Sequence, residues 1–232
     1  EGNDCPDPIY FLKYEDHESE VLRYIRLMQS LGLASQGEEL EFPLTKGDRN
    51  GLAEIDACRA LSPHSYVCIH PGASAEEKRW PCERFAAAAE ELARQGWQIV
   101  LTGTRSEIGL CSRIENAMQR KPLNLAGRTS LGGLAMLISD SALVICNDTG
   151  ISHLASALNV ASVVIFTASD PTRWAPLNRN LHRAVCPAGN HDRAGLLKGD
   201  KQWLRDSEHL PTVDTVLAES ELLLKPKRRN FA

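Results

Sequence analysis

The chain has 232 residues, of which 43% are hydrophobic and 24% charged, and its formal net charge is −4. This composition is that of a globular protein and excludes a wholly disordered chain or a coiled coil. The charge is too small for a typical nucleic-acid-binding protein, and no apolar run reaches the ~20 residues of a membrane span. At about 150 residues per domain, the length predicts one complete domain and part of another.

The first 60 residues predict the end of one domain followed by a linker. They contain six Lys or Arg against thirteen Asp or Glu, so they are far more acidic than the rest of the chain. Residues 17–33 carry apolar side chains at helical spacing and end at Gly32, which predicts a helix. Residues 39–45 predict a strand, and residues 48–61 predict a further helix.

Residues 63–187 predict a doubly wound α/β domain, followed by a C-terminal loop, helix and basic tail over 188–232. The strands are predicted at 65–70, 97–102, 123–127, 142–147 and 161–167, and the helices at 81–95, 106–119, 130–139, 150–158 and 212–224. Strands that are apolar throughout and alternate with helices are typical of a parallel sheet covered on both faces.

The seven cysteines are scattered and include no C-x-x-C pair. This pattern predicts reduced thiols in a cytosolic protein. Cys186 and His191 can supply half of a metal site, but no second pair accompanies them. The sequence begins at Glu1 without a signal peptide, which is consistent with a fragment. The tail KPKRR (225–229) has two interpretations, a solvated terminus or a contact with anionic lipid.

Four turns follow the predicted strands, and in a parallel sheet the carboxyl ends of the strands form the ligand-binding edge. These turns are HPGASAEEKRWP (70–81), TGTRSE (102–107), AGRTSL (126–131) and NDTGISH (147–153). They contain no G-x-G-x-x-G fingerprint and no P-loop. The sequence therefore predicts a ligand site at this edge without a standard dinucleotide motif.

The turn at 147–153 is the most informative because it opens a predicted helix. Asp148 or Thr149 can cap that helix, and Gly150 allows a ligand to approach the backbone. Free N–H groups and the helix dipole favour a phosphate there, and the dipole disfavours a charged His153. The alternative is that Asp148 is only a cap and His153 only a buried histidine.

Lys78 and Glu107 can each be interpreted either as a ligand contact or as a residue without a role in binding. Lys78 follows the small-residue loop around Ser74 and is either a diphosphate contact or a solvated lysine. Glu107 opens a helix, where the dipole stabilises a carboxylate, and it can also accept hydrogen bonds from a ribose. The residues alone leave both choices open.

Taken together, these segments resemble glycosyltransferase family 9, which contains the ADP-heptose:lipopolysaccharide heptosyltransferases. The resemblance runs over about residues 64–177 and rests on HPGAS…KRWP, FAAAAEELARQGWQIVLTGT..E, NLAGRTSL, NDTGISHLASAL and VVIFTASDPTRWAP. It implies a GT-B architecture of two Rossmann-like domains, in which residues 63–187 hold the nucleotide-sugar donor. Residues 1–62 would then be the end of the N-terminal acceptor domain and the linker.

The resemblance also implies site residues, carried over by position. They are Ser74, Lys78, Glu107, Thr129, Asp148, Thr149, Gly150 and His153. Ser74 and Lys78 would contact the donor phosphates, Glu107 the ribose and Thr129 the nucleotide pocket, while the last four would hold the diphosphate and sugar. No metal or cofactor is implied, because Lys78, backbone donors and a helix dipole would stabilise the leaving ADP.

The activity implied is inverting transfer of a heptose from ADP-heptose to a lipopolysaccharide core or lipid-linked saccharide acceptor. It would take place in the cytoplasm, with possible peripheral contact at the inner membrane, and would use a carboxylate base. The family carries that base near the start of its first domain, in a segment that this sequence lacks, so the catalytic residues stay unassigned. The isolated chain is therefore expected to bind the donor without transferring its sugar.

Two alternatives remain open at this point. One is a GT-B transferase with another donor such as a UDP-sugar, and the other is a stand-alone nucleotide-binding module. The donor is open because TGTRSE lacks the second glycine common in the family and Thr167 replaces a more usual glycine. Residues 186–203 match no segment of the family.

Overall fold

The computed structural model describes residues 11–15, 18–187 and 210–224. Within them, six strands form one parallel sheet in the order β3-β2-β1-β4-β5-β6. The strands are β1 (Tyr66–His70), β2 (Gln98–Leu101), β3 (Leu123–Asn124), β4 (Leu143–Asn147), β5 (Ser162–Ile165) and β6 (His182–Val185). The predicted doubly wound α/β fold is confirmed, and the strand order reverses direction between β1 and β4.

Eight α-helices lie within the described ranges. They are α1 (Glu20–Ser30), α2 (Lys46–Ala53), α3 (Cys82–Arg94), α4 (Ile108–Ala117), α5 (Leu131–Ser139), α6 (Gly150–Ala157), α7 (Pro171–Trp174) and α8 (Val213–Leu223). Short 3₁₀ turns at Asp56–Cys58, Glu76–Lys78 and Arg105–Glu107 complete the connections. None of the helices in the described part of the chain has the length and apolar character needed to cross a bilayer.

Two apolar clusters fill the space between the helices and the two faces of the sheet. On one face, α3, α4 and α8 contribute Phe85, Ile114 and Val216, all fully buried. On the other face, α5 and α6 contribute Leu137 and Leu154. Burial of each such side chain stabilises the fold by roughly 1.5–3 kcal/mol, so each helix is held by its apolar stripe. The six described cysteines are free thiols, and five of them are buried.

The C-terminal helix α8 is fixed to the first βα unit by Trp80. The indole Nε1 donates a hydrogen bond of 2.8 Å to the carbonyl of Pro211, just before α8. The same ring packs edge-to-face on Phe85, with the ring centroids 5.0 Å apart. Trp80 is the last residue of the loop that carries Lys78, so its bond to Pro211 ties this loop to the start of α8.

The linker region differs from its prediction in two places. The predicted strand at 39–45 is wrong, because these residues form no ladder: Pro43 has no N–H, and only Phe42 packs against the core. The predicted helix at 48–61 is instead α2 and a separate 3₁₀ turn. Thr45 and Asp48 form a capping box that starts α2 earlier than predicted.

Helix α1 is attached to the α/β domain through charged side chains. The buried Glu20 carboxylate pairs with Arg23 of α1 and with Arg173 of α7. The helix ends as predicted, with Gly32 at φ 83°, a conformation that favours glycine. Tyr24 and Met28 lie on the exposed part of its surface. Helix α1 is thus joined to α7 through Glu20 and Arg173.

Candidate functional site

The carboxyl ends of β1 and β4 meet where the strand order reverses, which is the usual ligand crevice of such sheets. Asn147, the fully buried last residue of β4, joins the two ends. Its Nδ2 donates to the Pro71 carbonyl at 2.8 Å, and its Oδ1 accepts from the Trp80 N–H at 2.9 Å. Asn147 therefore holds the loop of residues 71–80 against β4. Asn147 was not among the predicted site residues.

An ion pair at the centre of the crevice connects this loop to β4. Lys78 Nζ lies 2.8 Å from Asp148 Oδ2, and Asp148 is only 4% exposed. Ser169 Oγ donates to the same oxygen at 2.5 Å. The lysine ammonium has three donors, and Asp148 takes one, so Lys78 keeps donors for an anionic ligand.

The segment after β5, from Thr167 to Trp174, forms a further part of this crevice. Thr167 Oγ1 donates to the Glu77 carbonyl at 2.6 Å, next to Lys78. Lys78 Nζ also lies 5.6 Å from the centroid of the Trp174 ring, which is cation–π distance. None of the residues from Thr167 to Trp174 was among the predicted site residues. Because these residues follow Lys78 by about 90 positions, only the folded sheet brings them together.

Helix α6 begins beside the ion pair with an exposed N-terminus. Thr149 is its N-cap residue but makes no side-chain capping bond, and Asp148 is engaged by Lys78 instead. The interpretation of Asp148 as only a helix cap is therefore wrong. Gly150 has open space where a Cβ would lie. The first turn thus presents backbone N–H groups and the positive end of the dipole to the crevice.

His153 is half-buried in the first turns of α6, near the Lys78–Asp148 pair. Burial lowers the pKa of His153 from its ordinary value. The negative charge of Asp148 acts in the opposite direction, and the positive charge of Lys78 lowers the pKa of His153 further. The direction of this shift favours a neutral imidazole, and its largest cause is burial rather than the helix dipole named in the prediction. A neutral imidazole beside the helix terminus can donate one hydrogen bond or accept one, depending on its tautomer.

Glu107 is buried at the end of the turn after β2. Its Oε2 accepts hydrogen bonds from Thr104 N at 2.7 Å and Thr104 Oγ1 at 2.9 Å. His70 Nε2 lies 3.7 Å from the same oxygen. Burial lowers the pKa of His70, and this effect outweighs the negative charge of Glu107, which acts to raise it. The Glu107 carboxylate packs closely on Gly72, with Oε1 the nearer of its two oxygens.

Ser74 and Thr129 are not joined to this network. Ser74 is exposed and Thr129 half-buried, and neither side chain makes a hydrogen bond within the described ranges. Both lie on turns at the same edge of the sheet as Lys78. The structure therefore brings together Lys78, Asp148 and the start of α6 and leaves these two as free hydroxyls. In the described part of the chain, no cluster of three or more His, Cys, Asp or Glu is placed to hold a metal.

Two glycines give a matched test of this geometry. A Cβ at Gly72 would overlap the Glu107 carboxylate, whereas a Cβ at Gly150 would meet no atom. We expect Gly72→Ala to lower the free energy of unfolding by roughly 1–3 kcal/mol through overpacking. Gly150→Ala should change it by less than about 0.5 kcal/mol. Urea unfolding of both variants measures the difference, and equal stabilities would contradict the close packing of Gly72 on Glu107.

Comparison with known proteins identifies the family. The sequence model of glycosyltransferase family 9 (heptosyltransferase) matches residues 11–194. The chain belongs to this family. Lipopolysaccharide heptosyltransferase 2 of Escherichia coli K12 is 29% identical over 192 residues, covering 78% of this chain and 54% of the relative. Lipooligosaccharide heptosyltransferase 2 of Haemophilus influenzae is 32% identical over 123 residues, covering 51% and 36%.

Solved structures of family 9 members share the fold. A family 9 glycosyltransferase from Veillonella parvula superimposes with a TM-score of 0.78 at 22% identity, covering 91% of this chain and 62% of that one. ADP-heptose lipopolysaccharide heptosyltransferase II of E. coli gives a TM-score of 0.68 at 26% identity, covering 89% and 62%. This family 9 chain thus spans about half the length of the curated relatives it matches.

Proposed function

We propose that this chain holds the ADP-heptose donor of an inverting, metal-independent heptosyltransferase that acts on a lipopolysaccharide core acceptor. The observation that supports this most directly is the Lys78–Asp148 pair beside the open N-terminus of α6. A lysine, free backbone N–H groups and a helix dipole converge there, and together they suit a diphosphate. The E. coli relative is named for ADP-heptose, which supports the choice of donor.

In this proposal, each site residue contacts a different part of the donor. Lys78 and the first N–H groups of α6 bind the diphosphate, with Ser74 and Thr149 as further hydroxyl donors. Glu107 accepts hydrogen bonds from the ribose, and Thr129 lines the nucleotide pocket. Asp148 holds Lys78 in place, and neutral His153 adds a hydrogen bond to the diphosphate or the sugar.

The chemistry proposed is a single in-line displacement. A carboxylate base removes the proton of an acceptor hydroxyl, the oxygen attacks the anomeric carbon, and the bond from that carbon to ADP breaks. The electron pair of that bond leaves with ADP. Lys78 and the α6 terminus stabilise the negative charge that develops on the leaving diphosphate, in the position a metal ion would otherwise take.

We further propose that the base comes from a domain that pairs with this one, so the chain alone binds donor without transferring its sugar. The enzyme would work on the cytoplasmic side of the inner membrane, where a lipid-anchored acceptor is accessible. The basic tail at 225–229, the candidate for membrane contact, lies outside the described residues. Detectable heptosyl transfer by this chain alone would contradict the division of labour.

Isothermal titration with ADP and with UDP, in EDTA and again with Mg²⁺, tests the proposal. We expect ADP to bind more tightly than UDP and equally well in both buffers, and His153→Ala to weaken ADP binding. Lys121→Ala is the matched control for a Lys78→Ala variant, because Lys121 precedes β3 at the opposite edge of the sheet. Tighter binding of UDP than of ADP would indicate a UDP-sugar donor instead of ADP-heptose. Nucleotide binding that requires Mg²⁺ would refute the metal-independent role.

A further inference from the structure

Lys78 is held in the crevice by a carboxylate and by an aromatic ring. Its Nζ pairs with Asp148 at 2.8 Å and lies 5.6 Å from the centroid of the Trp174 ring. A long lysine side chain loses rotamer freedom when a ligand orders it, and this loss weakens binding. Partners that order the ammonium beforehand reduce the loss. The position of Trp174 should therefore affect how tightly Lys78 binds a phosphate.

Trp174 lies on α7, a helix of only four residues. So short a helix is not stable by itself, because one turn of hydrogen bonds does not offset the cost of nucleation. Asp170 Oδ1 accepts from Thr172 N at 2.8 Å, and Arg179 donates to the Pro171 carbonyl at 2.7 Å. These contacts fix the first residues of α7. Trp174, at its other end, is only half-buried, so that end depends on contacts with other elements.

Arg173 ties the Trp174 end of α7 to helix α1. Its guanidinium pairs with the Glu20 carboxylate and donates to the Tyr14 hydroxyl. The Glu20 side chain is only 7% exposed, and it also pairs with Arg23. Arg173 Cζ lies 5.1 Å from the centroid of the Trp174 ring, which is cation–π distance. One buried carboxylate of α1 thus fixes the residue that neighbours Trp174 in sequence and in space.

The charge of Glu20 keeps this arrangement together. Arg23 and Arg173 meet at the same carboxylate, and without its negative charge the two guanidinium groups would repel each other. Helix α7 would then lose its attachment to α1, and Trp174 its fixed place beside Lys78. The contacts therefore run without a gap from α1 to the proposed phosphate site.

We propose that Glu20 and Arg173 are positioning residues of the donor site. This inference rests on the proposed function and adds two residues that do not themselves contact the donor. The ion pair holds Trp174 beside Lys78, so the ammonium is ordered before the diphosphate arrives. Helix α1 thereby contributes to the donor affinity of a site that it does not touch.

Titration calorimetry with ADP on Glu20→Gln and Arg173→Gln tests this inference. We expect each variant to weaken ADP binding about three- to tenfold, the usual size for residues that act on a site through others. Arg173→Lys keeps the positive charge and should weaken ADP less than Arg173→Gln does. Glu18→Gln is the matched control, because Glu18 pairs with Arg26 of α1 at 2.6 Å and with no described residue of α7.

A Lys78→Ala background separates positioning from a general structural role. If the ion pair acts through Lys78, Glu20→Gln should change ADP affinity less than about twofold once Lys78 is already alanine. A general structural role would produce the same fold loss in both backgrounds. Pyrophosphate binding should weaken as ADP binding does, whereas adenosine, which has no phosphate, should bind Glu20→Gln as it binds the wild type.

The indole of Trp174 provides a spectroscopic readout. The Glu20→Gln variant should shift tryptophan emission to longer wavelength, because Trp174 becomes more exposed to water when α7 is released. The chain has four tryptophans, so the same comparison in a Trp174→Phe background identifies the source. The shift should be absent there.

The outcomes distinguish this inference from the proposed function. If Lys78→Ala weakens ADP while Glu20→Gln and Arg173→Gln bind it like the wild type, the positioning role is refuted and the proposed function stands. Equal fold losses with and without Lys78, or weaker adenosine binding, would also refute the positioning role. If the wild-type chain binds neither ADP nor UDP, both proposals fail. Because α1 lies outside the two apolar clusters, we expect each variant to fold, and urea unfolding checks this.

Discussion

Replacement of Lys78 by alanine is expected to weaken ADP binding by about 10- to 100-fold, the effect of losing a charge-assisted hydrogen bond to a phosphate. The same change leaves the Asp148 carboxylate buried with only Ser169 as a described side-chain partner. Because Lys78 is itself part-exposed, we expect a stability loss of roughly 1–3 kcal/mol, less than for a fully buried pair. Titration calorimetry and urea unfolding measure the two effects separately.

A double variant separates binding from stability. In Lys78→Met/Asp148→Asn, the charge pair is replaced by neutral side chains of similar size, and the amide oxygen introduced beside Ser169 can still accept the hydrogen bond from its hydroxyl. Neutralising both partners should restore much of the lost stability, because no unpaired charge remains buried. ADP binding should stay weak. Recovery of binding with stability would show that the pair is purely structural, and so would unchanged ADP affinity in Lys78→Ala.

The free energy of unfolding is expected to fall as the pH is lowered from about 6.5 towards 4. Burial lowers the pKa of His70, His153 and His182, and that of His182 to about 4. Each folded-state pKa lies below its unfolded value, so the unfolded chain binds protons first and stability is lost as pH falls through this window. His182 alone contributes at most about 3 kcal/mol to the loss.

Urea unfolding at several pH values between 7.5 and 4.5 tests this expectation. The variant His182→Asn should flatten the pH dependence, because an amide can still bond to Ser162 Oγ but does not titrate. His64→Asn is the control, because His64 is exposed and lies just before the amino end of β1. An equally steep pH dependence in His182→Asn would exclude this histidine as a source of acid instability.

The central strands could be predicted because most of their residues are apolar. Strands β1, β4 and β5 are fully buried, and only one residue at an end of each is polar: His70, Asn147 and Ser162. Strand β6 was missed because it lies at the edge of the sheet and contains His182 and Arg183, which interrupt an apolar pattern. The segment at 39–45 failed for the opposite reason: it has an apolar pattern but no neighbouring strand to pair with.

The site could be predicted only as far as local sequence allows. The turn at 147–153 pointed to an open helix terminus, and α6 has one. Sequence could not decide between a cap and an ion pair for Asp148, because its partners Lys78 and Ser169 are 70 and 21 residues away. Asn147 and Trp174 were missed for the same reason, as their contacts depend on which strands are neighbours.

The join between β1 and β4 has a consequence for how the protein unfolds. Lys78 and Asp148 sit on different halves of the sheet, so a nucleotide bound between them is lost when either half opens. Its binding energy therefore stabilises the whole domain rather than one loop. At 100 times its Kd, a nucleotide adds about 2.7 kcal/mol to the free energy of unfolding. If the donor binds between Lys78 and Asp148 as proposed, amide exchange in β1, α3, β4 and β5 should slow together, because the donor contacts both halves of the sheet.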